Sequence, residues 1–459
     1  MLTVEKIGGT SMSHFRDVFR NIIKNKDGGI TYNRIFVVSA YNNVTNWLLE
    51  DKKTGAPGVY THFANRGDYE RHLMELEDKL LEINKELANL GLDLKEADTF
   101  IKERIGLIRN HLSSMAEVMG TGYVDRRSIL QAAREMLASV GESHSAFNTA
   151  NIINNNNIRA ILVDLSGVDD SEPLTIDERI HRSFQNIDFS KNLVIATGYT
   201  KGTEGIMREF DRGYSEVTFS KVAVEVKARE AIIHKEYHLS SADPKIVGEK
   251  NAIPVGFTNY DVTDQLADIG MEAIHPKASK PLETAGINLR IKNTFDPYHD
   301  GTLITKDYVS KESKIEIIAG TDKALVLDIH DSSMVGEVGF DLDIMEIFKK
   351  YGISYIVKAT NANSISLVIW ENKYQDALGE ELRKSYQQLT MEKVAILCLI
   401  GSNIAKPGIF AKASRVLAEE GINIICISQS MRQVNIQLII NREDFNRGII
   451  ALNKALCLT

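Results

Sequence analysis

Four clusters of polar residues stand out for the chemistry they could do. Near the start, Lys6-Ile7-Gly8-Gly9-Thr10-Ser11 places a lysine before a glycine pair. Glycine lets a backbone turn tightly and approach a ligand, because no Cβ intervenes. Exposed amides, a following helix from about Ser13 and a nearby cation would together hold phosphate. A second cluster runs from Ser39 through Asn42 to Thr45 and offers hydroxyls and amides directly after an apolar run. These groups could bind a ligand, or Ser39 and Thr45 could simply cap a helix. In the third, Gly141-Glu142, the glycine is expected to interrupt a helix and let something approach the backbone. Glu142 could then meet a cationic group of a ligand, unless it is an ordinary surface glutamate. The fourth holds Arg212, whose planar fork suits a carboxylate, with Glu216 one helical turn later. A surface ion pair is the competing explanation there.

The elements that must position these groups are legible from periodicity. Arg34 to Val38, Ile158 to Val163 and Leu193 to Thr197 are apolar runs of the kind expected from strands covered on both faces of a parallel sheet. Each opens into a polar or glycine-containing loop, which is where open α/β sheets bind ligands. Helical spacing follows the first loop until Gly28-Gly29 ends it. Leu73, Leu76, Leu80, Ile83 and Leu87, then Ile101, Ile105, Ile108 and Leu112, form two amphipathic stripes separated by Gly91. They predict a helical hairpin over 69–118, with no chemistry of its own. From Lys314 the pattern changes to short strands and helices, with Ile315–Ile318 and Ala324–Ile329 read as separate strands. The plan recurs after 389. The expected boundaries are therefore a doubly wound α/β domain over 1–310 and two small α+β units over 311–388 and 389–459.

Composition narrows the function classes. A chain of 459 residues should form two or three domains, and its net charge of -8 argues against a nucleic-acid-binding body. Cys398, Cys426 and Cys457 are few and widely spaced, so neither a disulfide framework nor a zinc site is indicated, and a reducing cytoplasm is expected. No stretch approaches the roughly 18 apolar residues of a membrane span.

Taken together, the motifs resemble the aspartokinases. The resemblance rests on Lys6 to Ser11, Val38-Ser39-Ala40 with Thr45-Asn46, Gly141-Glu142 with Ser145, Arg212-Gly213 with Ser215, Ala242-Asp243-Pro244 and Ile274-His275-Pro276. Two terminal units similar to ACT domains, the ferredoxin-like modules that bind amino acids, complete it through Pro407-Gly408 and Gly421-Ile422-Asn423-Ile424. Glu5 to Met12, the hairpin and His238 to Pro244 look closest to a divergent branch that includes the ectoine-type aspartokinases.

The resemblance implies phosphoryl transfer from ATP, with Mg²⁺, to the side-chain carboxylate of L-aspartate. Lys6 would neutralise the moving phosphoryl group, aided by Glu216, with Gly8, Gly9 and Thr10 as the phosphate loop. Ser39, Thr45 and Ser215 would line the substrate site, while Glu142 would take the α-ammonium and Arg212 the α-carboxylate. Nucleotide contacts are implied around Lys235, Ser240, Asp243, Lys245 and Lys277. Met334, Gly336, Gly339 and Phe340 would form an effector loop for lysine or threonine. A homodimer through the ACT units is also implied, with no nucleic-acid or membrane partner and no protein-held metal.

The departures are specific. Asp211-Arg212-Gly213-Tyr214-Ser215-Glu216 stands where the family has Gly-Arg-Gly-Gly-Ser-Asp, so Tyr214 would crowd the site. His234-Lys235-Glu236, His238-Leu239-Ser240 and Glu272 depart from the usual nucleotide segment. A catalytically weak amino-acid sensor and a kinase of another acidic amino acid are the alternative readings.

Overall fold

The computed structural model describes residues 1–24, 32–271, 273–386 and 388–458, but not the Arg212 side chain. Gly28-Gly29 and Glu272 lie outside the described residues. Two compact units are present, one comprising Met1–His238 with His275–Leu303, the other Leu239–Ile274 with Ile304–Thr459. Residues 239–274 thus group with the C-terminal half although they lie within 1–310.

In chain order the first strands are β1 (Thr3–Ile7), β2 (Arg34–Val38), β3 (Ala160–Val163), β4 (Leu193–Thr197), β5 (Glu230–Lys235), β6 (Phe257–Asn259), β7 (Asn288–Asn293) and β8 (Thr302–Thr305). Within the first unit the order is β3-β4-β2-β1-β5-β7, and each pairing is parallel. Parallel pairing requires crossovers, and those crossovers place helices over both sheet faces. That explains why β4 is buried at every position and β2 at all but its first. The loops after β1, β2 and β4 share one edge of the sheet, so residues far apart in sequence can meet there.

The two stripes form helices Tyr69–Leu87 and Leu94–Thr121, capped by Asp68 and Asp93, with Gly91 turning between them at φ +98°. Asn84, rather than its neighbour Ile83, takes the fully buried position. Its Oδ1 accepts from Asn148 Nδ2 at 2.8 Å and lies 2.7 Å from His144 Nε2, and its Nδ2 donates to Asp98 at 2.9 Å. The core beneath the hairpin is therefore partly polar, and Asn84 is the group that His144 and Asn148 share, while His144 Nδ1 and Asn148 Oδ1 are buried without a hydrogen-bond partner among the described residues.

The second unit contains one antiparallel sheet, β10-β11-β9-β12-β14-β13, made from β9 (Ile317–His330), β10 (Tyr355–Thr360), β11 (Ser364–Trp370), β12 (Gln388–Ile400), β13 (Ile424–Ser428) and β14 (Asn435–Asn441). The two strands expected near 315–329 are one continuous strand, β9. It pairs along its length with β12, from Gln388 opposite His330 to Ile400 opposite Ile317. One core lies under helices Phe340–Tyr351 and Gln375–Ser385 and uses Leu325, Leu327 and Ile329. The other lies under Ile409–Glu419 and Phe445–Leu456 and uses Ile315 and Ile318. A single strand thus serves both cores, so the two α+β units interleave instead of following one another.

Candidate active site

Lys6 is the penultimate residue of central strand β1, flanked by Val37 on β2 and Ile233 on β5. Its ammonium lies 3.4 Å from Glu216 Oε1, and both side chains are largely buried. Glu216 Oε2 also accepts from the His275 amide at 2.6 Å. Burial pushes the Glu216 carboxyl upward, but Lys6, Lys235 and that amide outweigh it and hold the group below its ordinary value. The Glu216 carboxylate is therefore ionised throughout the neutral range.

The helix after the glycine loop begins at Gly9 rather than near Ser13, with Gly8 extended at its N-cap. Neither glycine has a positive φ. Close approach explains Gly9, because a Cβ there would stand 2.8 Å from the Ala40 carbonyl oxygen. Thr10 faces solvent at the same edge.

The loop after β2 brings Ser39 Oγ to 3.3 Å from Ser215 Oγ. Helix Arg126–Asn155 passes beneath and carries Glu142, which is 2% exposed. Gly141 does not interrupt this helix. Its missing side chain instead makes room for Ala40, whose Cβ would lie 2.6 Å from a Cβ on Gly141. The backbone is approached, as the glycine predicts, but by the alanine of the loop after β2. Gly198, just after β4, knits the group together. A Cβ on it would meet the Val38 carbonyl oxygen at 2.7 Å, Ser215 Cβ at 2.9 Å and Glu142 Cγ at 3.3 Å.

Desolvation pushes the Glu142 carboxyl up to about 7, against the opposing pull of the Tyr214 hydroxyl, nearby amides and Lys6. Tyr214 donates to Oε1 at 2.8 Å, while Oε2 is buried with no hydrogen-bond partner. A buried carboxylate oxygen without a donor is costly, and an arriving cation would relieve that cost. Helix Tyr214–Glu225 begins between Arg212 and Glu216, as their spacing predicts. The Arg212 side chain lies outside the described residues.

Other expected residues are placed as follows. Lys235 ends β5 in the first unit, and Lys277 donates to the Glu209 carbonyl at 2.9 Å and sits over the Phe210 ring. Ser240, Asp243 and Lys245 belong to the second unit, where Asp243 caps helix Pro244–Val247 by accepting from the Lys245 amide. Gly336 and Gly339 adopt φ of +83° and +108°, and Met334 and Phe340 pack against the core of their unit.

Sequence reasoning missed several contributors. Tyr199 donates to Glu135 at 2.8 Å and meets Tyr214 edge-on, with centroids 5.8 Å apart. A cavity of about 830 Å³ opens beside Tyr199 and Glu135, and its wall contains none of Lys6, Ser39, Glu142 or Glu216. Within the sheet, Glu5 joins Arg34 at 2.6 Å and His234 at 2.8 Å. The signal for that cluster was a glutamate among apolar neighbours in a central strand.

The pattern that defines the amino acid kinase family matches residues 1–293, and an ACT-domain pattern matches residues 397–456. The chain belongs to the amino acid kinase family. Across its full length it is similar to aspartate kinases. It is 45% identical to aspartate kinase Ask_Ect of Stutzerimonas stutzeri (strain A1501), covering 99% of this chain and 97% of that one. It is 28% identical to the chloroplastic aspartokinase 1 of Arabidopsis thaliana, covering 92% of this chain and 74% of that one. Two solved structures share the fold. Clostridium acetobutylicum aspartate kinase superimposes with a TM-score of 0.74 at 22% identity, covering 99% and 100% of the two chains. E. coli aspartokinase III in complex with aspartate and ADP gives 0.72 at 20% identity, also covering 99% and 100%.

Proposed function

We propose that the protein is an ATP-dependent aspartate kinase that forms 4-phospho-L-aspartate, the first step toward lysine, threonine and methionine. The observation that carries this reading is the pairing of a charged Lys6–Glu216 couple at the end of β1 with a buried glutamate open at one oxygen, grouped with Ser39 and Ser215. An α-ammonium at Glu142 and an α-carboxylate at Arg212 would fix both ends of the amino-acid head. The side-chain carboxylate is then presented as the nucleophile. One of its oxygens bonds to the γ-phosphorus as the bond from that phosphorus to the β–γ bridging oxygen breaks, and ADP leaves with the electron pair. Lys6 offsets charge on the group in transit, the kind of positioning and electrostatic work this reaction needs.

Among the described residues no group of three or more His, Cys, Asp or Glu could hold a metal ion. Mg²⁺ is read as a companion of the nucleotide phosphates. The effector loop at Met334, Gly336, Gly339 and Phe340 is read as a site for lysine or threonine, and the ACT-like sheet as a homodimer contact. Lysine is bound in a solved structure of E. coli aspartokinase III that shares this fold.

ATP-dependent acyl phosphate, trapped with hydroxylamine from aspartate but not from glutamate, is the expected result. A folded protein without it would remove the reading. The sensor alternative is favoured by one observation, the use of the Lys277 ammonium on a backbone carbonyl. Calorimetry without ATP binding would support it. Light scattering at micromolar concentration should give a dimer or larger assembly.

A further inference from the structure

Tyr214 is the first residue of its helix and is 2% exposed. Its hydroxyl donates to Glu142 Oε1 at 2.8 Å, and Thr45 faces the same phenol oxygen. The ring is held from the other side by Tyr199, whose hydroxyl donates to Glu135 Oε2 at 2.8 Å. Glu135 Oε1 in turn accepts from the amides of Met207 at 2.8 Å and Arg208 at 3.0 Å. The tyrosine is thus fixed by a chain of contacts that ends on backbone, and its hydroxyl has one carboxylate within reach. Burial, followed by the neighbouring Glu142 charge, holds the phenol well above its ordinary pKa, so it stays a proton donor across the neutral range.

The consequence falls on Glu142. A free carboxylate offers two equivalent oxygens and can rotate. Here Oε1 is occupied and Oε2 is not. We propose that Tyr214 is a positioning residue for the amino-acid substrate: its hydroxyl clamps Oε1 of Glu142, so that Oε2 is the single acceptor presented to the incoming α-ammonium. This rests on the reading of Glu142 as the ammonium site. The titratable groups acting on Glu142 are Tyr214 on its helix, Lys6 on β1 and Tyr199 after β4. Lys6 and the Tyr214 hydroxyl both favour the ionised form, so losing the hydroxyl shifts Glu142 toward the protonated form.

Tyr214→Phe keeps the ring and its packing and removes only the clamp. The KM for aspartate should rise about tenfold, from loss of a hydrogen bond to a charged group. The kcat and the KM for ATP should both stay within about threefold, because the bond is made equally in ground and transition states. The pH below which the aspartate KM climbs should move upward, a change that loosened packing would not produce. An unchanged aspartate KM and pH profile in Tyr214→Phe, alongside a raised KM in Glu142→Gln, would overturn the role of Tyr214 alone. An unchanged KM in Glu142→Gln would overturn the ammonium site and this proposal with it.

Discussion

Two buried glutamates a short distance along the same sheet edge are treated in opposite ways. Glu216 is held ionised by Lys6, Lys235 and the His275 amide, whereas Glu142 is pushed up to about 7 by desolvation that its neighbours do not offset. Lys6 acts on both carboxylates. Only at Glu216 does it come within ion-pair distance, and there it is backed by a second lysine and a short amide contact. The difference separates finished electrostatics from unfinished electrostatics. The first centre supplies its own counter-charge, while the second lacks one that a ligand can bring.

The comparison is broken most severely at the lysine. Lys6→Ala should lower kcat by at least about a thousandfold, at the upper end of what one charge-stabilising donor contributes. Circular dichroism should show the fold retained, and a fully active variant would remove Lys6 from the chemistry. Glu216→Gln should cost less, about ten- to a hundredfold in kcat, because the ammonium remains but loses its partner. An aspartate KM that moved more than kcat would assign Glu216 to the substrate instead.

The pH dependence sharpens the same contrast. Only ionised Glu142 attracts an ammonium, so the aspartate KM should rise roughly tenfold for each pH unit below 7. Glu216, already ionised, adds no limb to kcat between pH 6 and 8. A flat KM across that range would show that Glu142 does not carry the ammonium. Stability should respond with the opposite sign. A carboxyl whose folded pKa is raised destabilises the fold once pH exceeds its unfolded value of 4.5, fully so above about 7. Glu142→Gln should therefore raise Tm at pH 8 and have little effect at pH 4, measured without substrate. The smallest expected effect lies outside both centres. Gly336→Ala, at φ +83° in the proposed effector loop, should leave basal kcat within about twofold while weakening inhibition by lysine or threonine.

What the sequence disclosed follows from the range of each signal. Apolar runs such as Arg34 to Val38 and Leu193 to Thr197 report burial directly, and the polar residues after them report the working edge of a parallel sheet. Lys6 beside a glycine pair and Glu142 beside Gly141 were legible because glycine marks close approach. Gly141, however, makes room for Ala40 inside an unbroken helix, and composition alone does not name the neighbour. Tyr214 was visible as an intruder but not as the donor to Glu142, since that contact joins positions 72 residues apart. The same limit hid Asn84, whose partners His144 and Asn148 sit on another helix. It also hid β9, because a turn and a mid-strand Gly-Thr-Asp-Lys look alike until β12 is laid beside it.

That long strand bears on how the chain could be shortened. β9 and β12 pair over nearly their whole lengths, and Ile315 and Ile318 belong to the core completed by residues up to Leu456. Cutting the chain after 388 would not release a smaller regulatory module. It would strip the partner from one long edge of β9 and leave an unpaired apolar strand, the kind of template on which chains aggregate. Deletion of either α+β unit should therefore yield insoluble protein, read as the fraction of expressed chain lost to the pellet.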